Sequence, residues 1–280
     1  MHNLSGYAGT IGLPSVSSVR PVHTAIIKQC PQFSCSLTSR AQLIHEFRGK
    51  KKNIALLPPL EYARSSSEVK IIPGVGISSR TSANSVRLYF NKGLHHIETV
   101  AVNPAFSSEI VLAHILLNEC YQTTPKIVPM EGGIERLLSN ANACLIVEDS
   151  EFLLADSDES IDLIDLWIDY IGLPYVHDIL VCNEQTLLPN DLAGFLDIGN
   201  IAQQLIEQEV NEVGEEEITN ESTALGGKRE SLGGSFYYRL GEDEIESIKE
   251  FFRLAYYYRI LHDIPDLRFH TIESTKVIPN

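Results

Sequence analysis

A chain of 280 residues, 44% hydrophobic and 21% charged, has the make-up of a folded globular protein with room for one large domain or two modest ones. Its formal charge of −15 and pI near 5.0 argue against a nucleic-acid partner, because phosphate binding needs a basic face that this chain supplies only locally. The start MHNLSGYAGTIGLP has neither a basic stretch nor an apolar leader core. No later run reaches the roughly 18 apolar residues of a spanning helix, so a cytoplasmic protein with no membrane partner is expected.

In chain order, short apolar runs of strand type are TIGLP, NIALLPP (53 to 59), KIIPGVGI (70 to 77), SVRLYF (85 to 90), TVAVNP (99 to 104) and ACLIVED (143 to 149). They alternate with helical patterns, which indicates an α/β protein with largely parallel sheets. SSEIVLAHILLNECY (107 to 121) has apolar residues at helical spacing behind a serine cap, so TVAV and this segment make a strand–turn–helix unit with free N–H groups at the helix start. GGIERLLSNAN reads as a further helix, followed after ACLIVED by the acidic excursion SEFLLADSDESID. IDLWIDYIGLPYVHDILVC (164 to 182) predicts a helix stopped at Gly172 and Pro174 and leading into a strand. One amphipathic helix is expected over DLAGFLDIGNIAQQLIEQEVNEV, then a solvated loop from Gly214 to Gly234. The last helix packs through Phe251, Phe252, Leu254, Ala255 and Tyr258. The tyrosines of YYYR (256 to 259) read as packing with one or two exposed edges.

The five cysteines form no CxxC pair and read as reduced thiols. The nine histidines are scattered, and even His95 and His96 lie at the wrong spacing for one helix face, so neither a metal nor another cofactor is expected.

Seven segments, in order and spacing, resemble the menaquinone-biosynthesis family of chorismate dehydratases and dihydroxynaphthoate synthases, on the dehydratase side. They are VSSVRP (16 to 21), NIALLPPLEYAR (53 to 64), KIIPGVGISSRTSANSVRLYF (70 to 90), NACLIVEDSEFLL (142 to 154), DLWIDYIGLPYV (165 to 176), YYRLGEDEIESIKEFF (237 to 252) and IPDLRF (264 to 269). The resemblance implies a type-II periplasmic-binding-protein-like α/β fold, two lobes joined by two crossover strands with a ligand cleft between them. Lobe 1 would take residues 1–90 and 180–280, lobe 2 residues 91–179, with VRLYFNKG and YVHDILVC as the crossovers. The reaction it implies is loss of water from chorismate to give an enolpyruvyl-benzoate in the futalosine route. That elimination needs carboxylates held by donors and a polarised leaving hydroxyl, with the substrate's own side-chain carboxylate available as base.

The same resemblance places Ser85 and Ser18 at catalytic positions and Ser79, Arg80, Thr81, Ser82, Ser107, Ser108 and Arg20 at substrate-binding ones. The plainer reading of these hydroxyls is a polar turn satisfied by water and its own backbone. Several positions depart from the family pattern. Ser18 stands for an asparagine, NPAFSSE replaces an Arg-containing serine–threonine run and so introduces Glu109, VED adds Glu148 beside Asp149, and Ile171 replaces a threonine. Glu109 reads either as a first-turn acid turned outward to its helix dipole or as an acid in the cleft, and Asp178 as a crossover residue that reaches solvent or pairs with Arg80 or Arg20, or as a cleft group. If both acids point inward without net positive potential, a diverged, non-catalytic binder of a small carboxylate becomes the better reading.

Overall fold

A computed structural model describes residues 9–83, 85–91, 97–147, 159–184, 189–217 and 236–271. The first part of the chain runs β1 (Gly9–Pro14), α1 (Arg20–Gln29), β2 (Phe33–Thr38), α2 (Arg40–Arg48), β3 (Ile54–Leu57), α3 (Pro59–Ala63) and β4 (Val69–Ser79). Then come β5 (Val86–Phe90), β6 (Thr99–Val102), α4 (Ser107–Tyr121), β7 (Lys126–Pro129), α5 (Ile134–Leu138), β8 (Ala143–Val147), β9 (Ser160–Asp162) and α6 (Leu163–Ile171). The chain returns through β10 (Tyr175–Asn183), α7 (Pro189–Phe195), α8 (Ile198–Glu217), β11 (Phe236–Tyr237) and α9 (Glu242–Tyr257).

Two mixed sheets form, ordered β11-β4-β10-β3-β1-β2 and β7-β6-β8-β5-β9. In the first, β1 runs parallel to β2 and β3, while β10 is antiparallel to β3 and β4. In the second, β6 is parallel to β7 and β8, and β5 is antiparallel to β8 and β9. This is the two-lobe α/β architecture that the resemblance implies. The passages between sheets fall at 80–85 and 172–174, because Val86–Phe90 already belongs to the second sheet and the whole of Tyr175–Asn183 to the first. VRLYF and YVHDILVC are thus sheet members rather than the links themselves, while Lys92 and Gly93 of the first segment lie outside the described residues.

Parallel strands leave their carboxyl ends on one edge of a sheet, where ligands of open α/β sheets bind. In the first lobe that edge carries the segments after β1, β2 and β3, hence Ser18, Arg40 and Glu61. In the second it carries the turn after β6 and the start of α4, hence Ser107, Ser108 and Glu109. The two edges face each other. One core cluster runs across the junction, joining Leu57 and Tyr175 of the first lobe to Leu88 and Trp167 of the second and to Phe252 of α9.

Helix ends follow local chemistry. The side chain of Asp162 caps α6 by accepting from the N–H of Ile164 at 2.8 Å, and Gly172 ends the helix with φ 75°, a left-handed conformation that only glycine adopts without strain. α5 is shorter than GGIERLLSNAN suggests, since Ser139 and Asn140 turn their side chains onto the carbonyls of Glu135 and Arg136. The helix expected over 191–213 is two helices, broken after Phe195, and α8 extends to Glu217. The break lets Phe195 and Ile198 both enter the core. The rest of the expected polar loop, most of the acidic excursion with Glu148 and Asp149, and His95 and His96 lie outside the described residues.

α8 docks on the first sheet at Gly199, where a Cβ would stand 2.1 Å from the Gly74 carbonyl oxygen and 2.7 Å from that of Tyr238. Both obstacles are backbone, so Gly199→Ala is expected to lower the unfolding free energy by about 2–3 kcal/mol, measured by urea denaturation. A loss under about 0.5 kcal/mol would show that α8 does not sit this close.

Candidate functional site

The centre of the junction is a buried group of charges. Arg40, the first residue of α2, follows the cap Ser39, whose hydroxyl accepts from the N–H of Gln42 at 3.3 Å. Its guanidinium reaches β10 and forks onto Asp178, Nη1 to Oδ1 at 2.5 Å and Nη2 to Oδ2 at 3.1 Å. Asp178 is placed by a register shift between Val176 and Asp178 against β4, a bulge of the kind that re-aims a side chain. The Asp178 side chain is 1% exposed and that of Arg40 10%. Burial opposes the charged form of Arg40, but the neighbouring acids, Asp178 foremost by charge and hydrogen bonding, outweigh it and keep the guanidinium ionised. Burial pushes the Asp178 carboxyl up, and the Arg40 fork resists the rise by charge and by hydrogen bonding.

From the opposite lobe, Glu109 enters this group and is only 3% exposed. The outward-turned reading of Glu109 is therefore corrected. It occupies the first turn of α4 but faces Arg40, Asp178 and Glu61 across the junction. Burial raises its pKa, opposed by Arg40 and by its own backbone N–H and reinforced by the like charges of Asp178 and Glu61. Beside it, Ser107 donates to Glu61 Oε1 at 3.1 Å and accepts from Arg64 at 3.4 Å, tying α4 to α3. Arg48 also pairs with Glu61, and Arg64 approaches it at 2.8 Å.

Four polar atoms around the junction are buried with no hydrogen-bond partner among the described residues: Ser85 Oγ, Ser108 Oγ, Glu109 Oε2 and Arg40 Nε. Buried polar groups are normally paired, so such atoms mark places where something else supplies the partner. Ser85 stands at the first passage between sheets and Ser108 in the first turn of α4. Ser108 also lines a cavity of about 10 Å³, space for about one water, with Pro59, Trp167, Tyr175 and Phe251 among its walls. The lobes are closed on each other.

The other sequence-derived candidates lie apart from this group or are already engaged. Ser79 hydrogen-bonds His177 Nε2 at 2.8 Å inside the first sheet, where burial and the nearby Arg40 depress the His177 pKa to about 3 and keep the ring neutral. Arg80 stacks on Tyr237, 4.5 Å from the ring centroid, and binds Glu244 of α9 at 2.8 Å. Thr81 is exposed, and Ser82 donates to Asp162 at 2.7 Å. Ser18 is half-buried in a short 3-10 turn. Arg20 lies on the surface paired with Glu209, so neither it nor Arg80 is the partner of Asp178. Arg40, Glu61 and Tyr175 were not singled out from the sequence. An acid inside an apolar run, as in YVHDILVC, is the signal that a buried cation must be sought.

An open hollow of about 180 Å³ elsewhere on the first lobe is lined by Arg48, Lys50, Arg64 and Glu68. Its cations are engaged, Arg48 and Arg64 with Glu61 and Lys50 with Glu68 at 2.9 Å. Among the described residues no group of three or more His, Cys, Asp or Glu could hold a metal ion, and no helix is long and apolar enough to cross a membrane.

The profile of the menaquinone biosynthesis family matches residues 10–257. The chain belongs to this menaquinone-biosynthesis family. No curated protein sequence matches it. Among solved structures, protein AF1704 from Archaeoglobus fulgidus is similar, with TM-score 0.65 and 14% identity over 92% of this chain and 100% of that one. The periplasmic aliphatic sulphonate binding protein SsuA from Escherichia coli superposes with TM-score 0.60 at 13% identity, over 94% of this chain and 96% of its own. The CA3427 gene product of Candida albicans, described as having the generic periplasmic binding protein fold, gives 0.56 at 11% identity, over 95% and 98%. At these identities the likeness establishes the fold. The chain is thus a menaquinone-biosynthesis family member with a periplasmic-binding-protein fold, its two lobes meeting at Arg40, Asp178 and Glu109.

Proposed function

We propose that this family member acts in the cytoplasm as a hydro-lyase of menaquinone biosynthesis, dehydrating chorismate to an enolpyruvyl-benzoate by the futalosine route, without a cofactor. The observation that carries the reading is the pair of buried, unpartnered hydroxyls of Ser85 and Ser108 at the lobe junction of a chain in this family. The elimination removes a proton from one ring carbon and hydroxide from the next, and the ring becomes aromatic. What the protein must supply is position and donors, and the hydroxyls of Ser85, at the passage between sheets, and Ser108, in the first turn of α4, can supply both.

Glu109 and Asp178 both face inward, the arrangement that favours a binder without turnover. Arg40 neutralises Asp178 within the same group but leaves no net positive charge there. It does not free a cation for the ligand, since both its terminal nitrogens are engaged. The second reading, a binder of a small carboxylate with no dehydration, rests on that engagement.

Incubating the protein with chorismate and following the enolpyruvyl-benzoate by mass spectrometry separates the two. Turnover supports the lyase. No product at high enzyme concentration, with chorismate still raising the melting temperature, supports the binder. In either case Ser85→Ala and Ser108→Ala should each weaken chorismate binding by about 10- to 150-fold, the equivalent of one hydrogen bond to a charged group. Unchanged affinity in both variants would remove these hydroxyls from the site.

A further inference from the structure

Glu109 is the residue that the lyase reading leaves without a task, and its Oε2 has no hydrogen-bond partner among the described residues. Its carboxyl is buried at the meeting of the lobes, and the guanidiniums near it already bind other acids, Arg40 keeping only its Nε unpaired. Arg40 forks onto Asp178, while Arg48 and Arg64 pair with Glu61. The groups that face it are Arg40 from α2, Glu61 from α3, and Tyr175 and Asp178 from β10. α6 and α9, also packed on α4, bring Trp167 and Phe251 to the cavity beside Ser108 and reach the far end of the helix through Tyr170 and Tyr258 on Glu119. β8 presents the apolar run Ala143–Val147. An ionised Glu109 would leave a buried carboxylate oxygen that no guanidinium among the described residues contacts, since Arg40 binds Asp178 and Arg48 and Arg64 bind Glu61, whereas a neutral one offers a hydrogen-bond donor at that oxygen.

We propose that Glu109 carries a proton in the free protein and gives it from Oε2 to the hydroxyl that leaves the substrate, which makes it the proton donor of the cleft. The transfer rests on the lyase reading. In the step, the substrate's side-chain carboxylate takes the ring proton, the C–H pair becomes the new C=C bond, and the C–O pair leaves on oxygen. That oxygen takes the Glu109 proton to form water. Glu109 is left ionised, and the proton gained by the substrate carboxylate returns to it or to solvent on product release. The upward displacement of the Glu109 pKa by burial agrees with this assignment.

Glu109→Gln keeps the size and a donor but has no proton to give. With chorismate the wild type should turn over with a rate that falls as pH rises through the Glu109 pKa. The variant should be slower by about 100-fold or more in kcat, with KM within about threefold and without that limb of the pH profile. Turnover of the variant near the wild-type rate overturns the proposal and leaves the lyase reading standing. If the wild type itself makes no product, the lyase reading and the transfer step fail together. The protonation of Glu109 is then decided by infrared spectroscopy of the ligand-free protein at pH 7. A protonated-carboxyl band present in the wild type and lost in the variant supports a neutral donor that binds without turnover, and its absence from the wild type overturns the proposal.

Discussion

Arg40→Met is expected to cost about 3–5 kcal/mol of unfolding free energy at pH 7, read by chemical denaturation, although methionine keeps most of the apolar stem. The reason is what the substitution leaves behind. Asp178 would be a carboxylate 1% exposed with both its hydrogen bonds gone, and Glu109 would lose the charge that opposes its burial. The defect should shrink as pH falls. Without Arg40, burial raises the folded-state pKa of Asp178 further above its ordinary value of 3.8, so the folded protein holds a proton that the unfolded chain releases. Stability is then lost as pH rises above that ordinary value and is regained below it. Adding Asp178→Leu removes the stranded acid and should recover most of the loss, since a buried pair replaced by apolar groups is often neutral or better. A loss under about 1 kcal/mol for Arg40→Met, independent of pH, would mean that the fork does not exist in solution.

How far the sequence speaks for itself can be judged from these residues. The α/β alternation, the helix at 107–121 and the stop at Gly172 follow from spacing and the freedom of one glycine, both local effects, and appear in the structure, whereas the expected serine cap does not: Phe106 precedes the helix and Ser107 turns to Glu61 instead. Ser85 and Ser108, which the family resemblance places at the site, lie buried and without a hydrogen-bond partner among the described residues. The charge pairing was not legible. Ser39–Arg40 reads as an ordinary cap followed by an exposed arginine, and nothing within ten residues of it announces a partner 138 positions away. Arg80 was placed at the cleft rim for its neighbours, yet Glu244, 164 positions away, and the Tyr237 ring hold it against α9. Long side chains with tertiary partners are decided by where strands stack, and composition around them carries little of that information.

Trp167→Ala should be as damaging as the loss of Arg40, about 3–5 kcal/mol, and for an apolar reason. Trp167 is fully buried, with its ring edge-on to Tyr175 at 5.9 Å and to Phe251 at 6.0 Å, so one side chain joins α6 of the second lobe to β10 of the first and to α9. Its indole N–H donates to Ser247 at 3.3 Å, and Ser247 in turn donates to the Pro174 carbonyl at the second passage between sheets, at 2.5 Å. Truncation would enlarge the small cavity that Trp167 shares with Ser108 and would loosen Tyr175, which stands beside Arg40 and Glu109. Two readouts follow. Added indole should restore part of the variant's melting temperature by refilling the space and should leave the wild type unmoved. Because Trp167 is the chain's single tryptophan, the wild-type fluorescence reports on the lobe junction directly, and chorismate should shift its emission if the lobes part and close again around a ligand. A variant as stable as the wild type, with no response to indole, would show that the lobes do not pack through this residue, and the closed arrangement of Arg40, Asp178 and Glu109 would lose its support.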